Sequence, residues 1–230
     1  MKPNKNNFVL SLGGSLIAPK EGIDPAFLKR FRALIAKQAR KGRRFIIVCG
    51  GGATCRAYQK AAAQAAKLTR DELDRLGIQV TVVNASLMRV IFGRLAAPGI
   101  VTDPRVVLPR KFPVIIGAGW KPGCSTDHDA VLLAKHFGAG TVVNFSNISY
   151  VYDKDPRKFP DAKPFKKLSW AEFIRRFGGR WSPGLNSPFD PVASKAAAKA
   201  GLRVVIADGR DLANTDKIIA GKPFKGTVIS

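Results

Sequence analysis

Cysteine, histidine and acidic side chains are all scarce in this chain, and each scarcity removes a class of function. Three cysteines among 230 residues, Cys49, Cys55 and Cys124, are odd in number and lack C-x-x-C spacing, which excludes a disulfide framework and a zinc-ribbon or thioredoxin-like motif. They read as buried, reduced thiols. The two histidines, His128 and His136, have no ligand cluster around them in the sequence, so no protein-held metal is expected. A run of eighteen apolar residues is also missing, and the opening MKPNKNN leads into an apolar stretch too short for a signal peptide. The chain therefore reads as cytoplasmic, with no membrane partner. Internal repeats, low-complexity tracts and shifts of composition are absent, so residues 1–230 read as a single domain.

Acidic residues number 16 against 39 lysines and arginines, a formal net charge of +23. Such a surface attracts polyanions. The basic residues are scattered through helices and loops, and no aromatic RNA-binding motif, zinc-finger spacing or basic tail gathers them. A generally basic proteome or the steering of anionic substrates is the expected reason, and specific nucleic-acid binding is not expected.

What the chain does contain is a series of short apolar runs alternating with capped helices. Phe8 to Leu12, Phe45 to Cys49, Phe112 to Ile116, Thr141 to Phe145, Leu202 to Ile206 and Thr227 to Ile229 read as strands. Val106 to Leu108 reads as a further short strand. Asp24 before Pro25 opens a helix that Gly42 ends, and a second runs from about Ala53 to Lys67. Thr69 with Glu72 is a capping box opening a short helix that ends near Gly77, followed by a long buried helix through Arg94. Ser125, Thr126 and Asp127 mark another helix entry, Ser169 with Glu172 a second capping box, and Asp190-Pro191 the start of a helix stopped at Gly201. Pro156, Pro160 and Pro164 set a long loop or hairpin insertion, and residues 180–189 are a lid candidate. Strand, helix, strand in this register gives an α/β fold: a three-layer αβα sandwich with a mostly parallel central sheet.

Three strands end in glycine: Gly13-Gly14, Gly50 to Gly52, and Gly117 to Gly123. One such strand end is an ordinary turn. Three at the carboxyl edge of one parallel sheet build an anion site, because unpaired N–H groups and helix N-termini point at the same spot. The P-loop motif G-x-x-x-x-G-K-[ST] is absent, and the third loop misses the dinucleotide-binding spacing. Several phosphate groups in one site are the natural guest.

The segments LGGSL at 12–16, VCGGGATCRAY at 48–58, DRLGIQ at 74–79, KPGCSTDHDAVLLAK at 121–135, SNISYVYDKDPRKFPDAK at 146–163 and DPVASKAAAKAG at 190–201 carry a resemblance. In this order they resemble the uridylate kinases of the amino-acid kinase superfamily, most closely the shorter archaeal type. The resemblance implies transfer of the γ-phosphoryl of ATP to UMP, giving UDP, with ATP and Mg²⁺ as cofactors and UMP as the second small-molecule substrate. It also implies a homo-oligomer, a hexamer built from dimers.

By position, the resemblance implies that Gly14, Ser15, Gly52 and Arg56 meet the ATP phosphates, and that Ser146, Asn147, Tyr152 and Asp155 hold its adenosine. Gly51, Asp74 and the loop Trp120, Lys121, Pro122, Gly123, Cys124, Ser125 and Thr126 are implied for UMP, Asp74 taking the ribose hydroxyls. Arg56, Asp127 and Lys121 are the implied catalytic residues. Lys121 enters as a substitute, because Ser11 stands where many of these kinases carry a first-strand lysine. Ser149 and Tyr150 replace the usual Asp and Gly of the nucleotide segment. An acceptor (UMP) lobe at 1–140 and an ATP lobe at 141–230 follow. Two alternatives stay open: a non-catalytic nucleotide-binding or storage protein on the same fold, and a related kinase with another small phosphate or carboxylate acceptor.

Overall fold

The computed structural model describes residues 4–106, 111–178 and 187–230. Its centre is a sheet of eight strands: β1 (Asn4–Leu12), β2 (Arg44–Cys49), β3 (Ala96–Val101), β4 (Val114–Gly117), β5 (Ala139–Ser146), β8 (Lys167–Leu168), β9 (Arg203–Asp208) and β10 (Thr227–Ile229). They lie in the order β3-β4-β2-β1-β5-β9-β10-β8. Every neighbouring pair is parallel except β9 and β10. A separate two-stranded hairpin pairs β6 (Val151–Tyr152) with β7 (Pro164–Phe165), so the proline-rich insertion takes its hairpin form. Pro164 sits in this short edge ladder, where its missing N–H costs little.

Alternate residues of β1 and β2 face opposite helical layers, as the pleat requires. Phe8, Leu10, Leu12, Phe45 and Ile47 pack with α1 (Gly14–Ile17), α2 (Pro25–Ala39), α4 (Arg70–Phe92) and α8 (Leu212–Ala220). Val9, Ile46 and Val48 turn the other way, onto α5 (Thr126–Phe137), α6 (Trp170–Phe177) and α7 (Pro191–Lys199). The expected three-layer α/β sandwich is what forms. The remaining helix, α3 (Gly52–Ala65), has no fully buried residue and rests on α4.

The helix entries follow their caps. Asp24, Ser125, Asp190 and Asp211 each accept the backbone N–H of the residue three positions on. Thr69 and Glu72 form the reciprocal box, but the Ser169 box is only half made. Ser169 accepts from Glu172 N–H, while the Glu172 carboxylate turns to Arg176 one turn later.

Several expectations are corrected. Gly77 does not end a helix: residues 70–92 are one continuous helix, and Gly77 lies where α4 touches α3. A Cβ there would come within 2.8 Å of Gln59 Nε2 and 3.0 Å of Cys55 Sγ, so close packing explains the glycine. That helix is also not fully buried, since Val83 and Val90 are 67% and 76% exposed. It is long and apolar enough to cross a membrane by composition, yet its inner face is committed to the sheet. The strand Ala96–Val101 went unexpected because Pro98 and Gly99 interrupt its apolar run. Val106 lies in a bend rather than a strand; residues 107–108 and most of the lid candidate, 180–186, lie outside the described residues.

Aromatic contacts hold the first core layer together. Phe31 stacks with Phe27 at 5.9 Å and meets Phe92 and Phe145 edge-on at 6.4 and 6.5 Å, linking α2, α4 and β5. Phe31→Ala should therefore lower the unfolding free energy by roughly 3–5 kcal/mol, the range for deleting a buried aromatic ring. Urea denaturation checks this, and a loss under about 1 kcal/mol would show that the layer does not depend on Phe31.

Candidate functional site

Strands β1, β2 and β4 are neighbours, so their glycine-bearing ends converge at the carboxyl edge of the sheet. The first two loops touch backbone to backbone. A Cβ on Gly14 would fall 2.1 Å from Gly52 N and 2.6 Å from Gly50 O, so no residue but glycine fits at 14. Gly52 has φ +66° and opens α3, and Ser15 follows Gly14 in α1. Gly51 is the N-cap of α3. Arg56 lies one turn into that helix, is exposed, and makes no ion pair among the described residues.

The third loop is held by α4. Gly119 N–H donates to Thr81 Oγ1 at 2.8 Å, and Gly123 N–H donates to Asp74 Oδ2 at 2.9 Å. Asn84, on the same helix, donates to Gly50 O at 2.8 Å. Positions 74, 81 and 84 share one helical face, so a single polar stripe fixes the ends of β2 and β4. Sequence reading singled out Asp74 and missed Thr81 and Asn84. The available signal was two uncharged polar residues at helical spacing from Asp74 within the apolar-rich run 80–84, and the structure buries both.

Within that loop the Trp120 ring carries two cations: Lys121 Nζ lies 4.2 Å from its centroid and Arg105 5.2 Å. Lys121 is exposed. Pro122 and Gly123 form the turn, Gly123 at φ +77°, and Cys124 N–H closes it onto Lys121 O. Ser125 caps α5 and Thr126 is its first residue.

Asp127 follows in the first turn of α5 and is the meeting point of the two halves of the chain. Its Oδ1 accepts from Ser11 Oγ of β1 at 3.0 Å and from Asn144 Nδ2 of β5 at 3.3 Å. Its Oδ2 accepts from Asp190 N–H, at the entry to α7, at 3.4 Å. None of these partners is a cation, and burial, reinforced by the Asp190 charge and opposed by the Ser11 hydrogen bond, pushes the Asp127 carboxyl up to about 6. Asp129, two residues on in the same turn, is buried and accepts Trp120 N–H; burial, with Asp127 and Asp190 adding to it, pushes its carboxyl up to about 7.

On the far half, Ser146, Asn147, Tyr152 and Asp155 line one cleft of about 290 Å³, together with Ile148, Phe177 and Pro188. The Asp155 carboxylate is held down by Arg157, which bonds both its oxygens. Tyr150 meets Tyr152 edge-on at 6.3 Å, beside the same cleft. The expectation that no ligand cluster surrounds the histidines is corrected for His128: its ring, Cys124 Sγ and an Asp129 oxygen lie within 4.8 Å of one another. Residues four and five positions apart across a helix entry meet only once the turn has formed.

The raised carboxyls make a pH test. A carboxyl that ionises near 6 or 7 in the fold and near 3.8 in the unfolded chain keeps a proton in the native state that unfolding releases. Its stabilising contribution is full below about pH 4 and is lost as pH rises toward 7, at most about 1.4 kcal/mol per pH unit for each group. Burial lowers the His128 pKa and gives that residue the opposite sign, so the difference from each variant isolates the carboxylate. In chelator, Asp127→Asn and Asp129→Asn should each flatten the fall in urea stability between pH 4 and 7. An unchanged slope in both would place the titrating groups elsewhere.

The chain matches the Amino acid kinase family over residues 6–208. Uridylate kinase of Methanospirillum hungatei is 34% identical over 227 residues, covering 96% of this chain and 94% of that one. Uridylate kinase of Pyrococcus abyssi is 32% identical over 228 residues, covering 96% and 98%. The crystal structure of uridylate kinase from Archaeoglobus fulgidus superposes with a TM-score of 0.84 at 28% identity, covering 97% of this chain and 99% of that one. Relatives that span both chains almost end to end, together with the shared sheet and glycine edge, settle the kinship: the chain belongs to the amino acid kinase family.

Proposed function

We propose that the chain is a UMP kinase, transferring the γ-phosphoryl group of ATP to UMP to give UDP and ADP. The observation that carries this reading is the backbone contact of Gly14 with Gly50–Gly52 at the carboxyl edge of the parallel sheet. No side chain separates the two loops there, which leaves phosphate groups of two nucleotides room to approach the same backbone. The uridylate kinase names of the full-length relatives supply the acceptor.

In this reading residues 1–140 take the acceptor and 141–230 take ATP. Ser146, Asn147, Tyr152 and Asp155 hold adenosine in the cleft they line, and its phosphates run toward Gly14, Ser15 and Gly52. Asp74 and the 120–126 loop bind UMP, with Gly51 beneath its phosphate. The chemistry is in-line: a UMP phosphate oxygen attacks the γ phosphorus as the bond to the β–γ bridging oxygen breaks and ADP leaves. Such a transfer asks the protein for alignment and charge neutralisation rather than covalent help.

Arg56 and Lys121 supply mobile positive charge near the loops. Asp127, whose hydrogen-bond partners among the described residues are all neutral, is a hard oxygen donor, and it fits Mg²⁺. Bound with ATP, Mg²⁺ neutralises charge on the phosphate oxygens. Ser11 in place of a first-strand lysine leaves that position uncharged, so neutralisation falls to the bound cation and Arg56. A cytoplasmic role in pyrimidine nucleotide synthesis and a hexameric assembly complete the proposal.

Two outcomes follow. With ATP and Mg²⁺, UMP should yield UDP and release ADP in a coupled assay, ahead of CMP, other nucleoside monophosphates, acetylglutamate and isopentenyl phosphate. Turnover with one of the last two but not UMP would retain the fold and reject the acceptor; nucleotide binding without product at any acceptor would support the non-catalytic reading that Ser11 and Tyr150 motivate. Asp74→Ala should raise KM for UMP roughly 10- to 100-fold, matching the 1.5–3 kcal/mol of hydrogen bonds to a charged group. A parallel rise in KM for ATP would remove Asp74 from the acceptor side.

A further inference from the structure

His128 and Asp129 take no part in the phosphoryl transfer described above, and with Cys124, at the end of the loop proposed for UMP, they form a cluster. The thiol sulfur, a ring nitrogen and a carboxylate oxygen lie within 4.8 Å of one another. Two polar atoms here are buried without a hydrogen-bond partner, His128 Nδ1 and Asp129 Oδ1. Asp129 is 1% exposed, and its other oxygen is already committed to Trp120 N–H. Buried polar atoms are nearly always satisfied, and each left unpaired costs on the order of 1–3 kcal/mol. Two unpartnered atoms on residues of one cluster, beside a thiol, therefore point to a ligand that satisfies them.

The donor set says what. Thiolate, imidazole and carboxylate together suit a borderline-soft divalent ion of the zinc class, whereas Mg²⁺ takes oxygen ligands. Binding displaces the thiol proton, and the resulting thiolate and carboxylate balance a 2+ charge at a helix entry that would otherwise oppose a cation. Cys124 precedes the Ser125 cap, and His128 and Asp129 follow it in the first turn of α5. One ion would thus tie the end of the 120–124 loop to the helix. Three protein donors leave a fourth position open, as in zinc sites that keep an exchangeable ligand.

We propose that Cys124, His128 and Asp129 form a zinc-class metal site that locks the third glycine loop onto α5. This goes beyond the kinase reading and does not depend on which acceptor is used. The Mg²⁺ proposed for Asp127 would be a separate ion, taken by a hard oxygen donor.

The test is equilibrium dialysis of the purified full chain against Co²⁺ in excess Mg²⁺, read by metal content and absorption. The expected result is one Co²⁺ per chain with a near-ultraviolet thiolate-to-cobalt charge-transfer band. Cys124→Ser should lose the band, and it and His128→Gln should each weaken uptake by at least 10- to 100-fold, a loss seen even for supporting partners of metal ligands. In unmutated protein, Zn²⁺ should slow alkylation of Cys124, mapped by mass spectrometry, while leaving the half-buried Cys55 unaffected. That arm holds should a variant fail to fold. Uptake without the band, equal uptake by wild type and Cys124→Ser, no uptake, or equal alkylation with and without Zn²⁺ would each overturn the proposal.

Discussion

The polar stripe of α4 is the constraint on which the site edge depends. Asp74, Thr81 and Asn84 reach from one helix to Gly123, Gly119 and Gly50, so the helix that packs the sheet also sets the height of two loops above it. Glycine loops need such tethers. They gain close approach to a ligand by giving up side chains, and with them the packing that would hold a backbone still. Gly119 and Gly123 are fixed instead through their N–H groups, and Gly50 through its carbonyl. The placement of Gly77 where α4 meets α3 belongs to the same arrangement, since a larger residue would displace the Gln59 and Cys55 side chains packed against it.

A second constraint is the half-buried carboxyl of Asp127. Three elements outside its own helix reach it, β1, β5 and the entry to α7, and all three offer neutral donors. A carboxylate in that position is costly to ionise, and Asp190 nearby makes it costlier, while Asp127 in turn raises the cost for Asp129. The site is thereby short of positive charge in a protein that carries +23 overall. The excess lies on the surface, where Arg105 and Lys121 flank Trp120 at the mouth of the third loop and Arg56 stands over the second. That distribution suits a site which draws in polyphosphates and receives its balancing charge with them.

Most of the strands, the helix caps and the glycine-bearing strand ends were legible in the sequence, because each rests on local chemistry; the order of the strands in the sheet was not. An apolar run of five residues, an Asp before a proline or a Ser three residues ahead of its N–H partner has the same meaning wherever the chain goes. The errors fell where a local signal was overruled by packing. Gly77 looks like a helix terminator and is a helix contact; Pro98 looks like a strand breaker and lies in a strand near the sheet edge, where β3 pairs with β4 alone. Residues named from the family resemblance also divided by kind: Ser146, Asn147, Tyr152 and Asp155 share one cleft, while Lys121 faces Trp120 rather than Asp127.

The sequence by itself determined the α/β class, the kinship and the identity of the loops, since periodicity, caps and ordered motifs are properties of neighbours along the chain. Only the tertiary structure decided what those loops touch. The bond of Asp127 to Ser11 spans 116 residues and that of Asn84 to Gly50 spans 34. The gathering of Cys124, His128 and Asp129, though near in sequence, needs the turn at the helix entry to bring their donors within 4.8 Å of one another. Contacts of this kind depend on how layers stack and how a turn is aimed, and no stretch of residues carries that information alone.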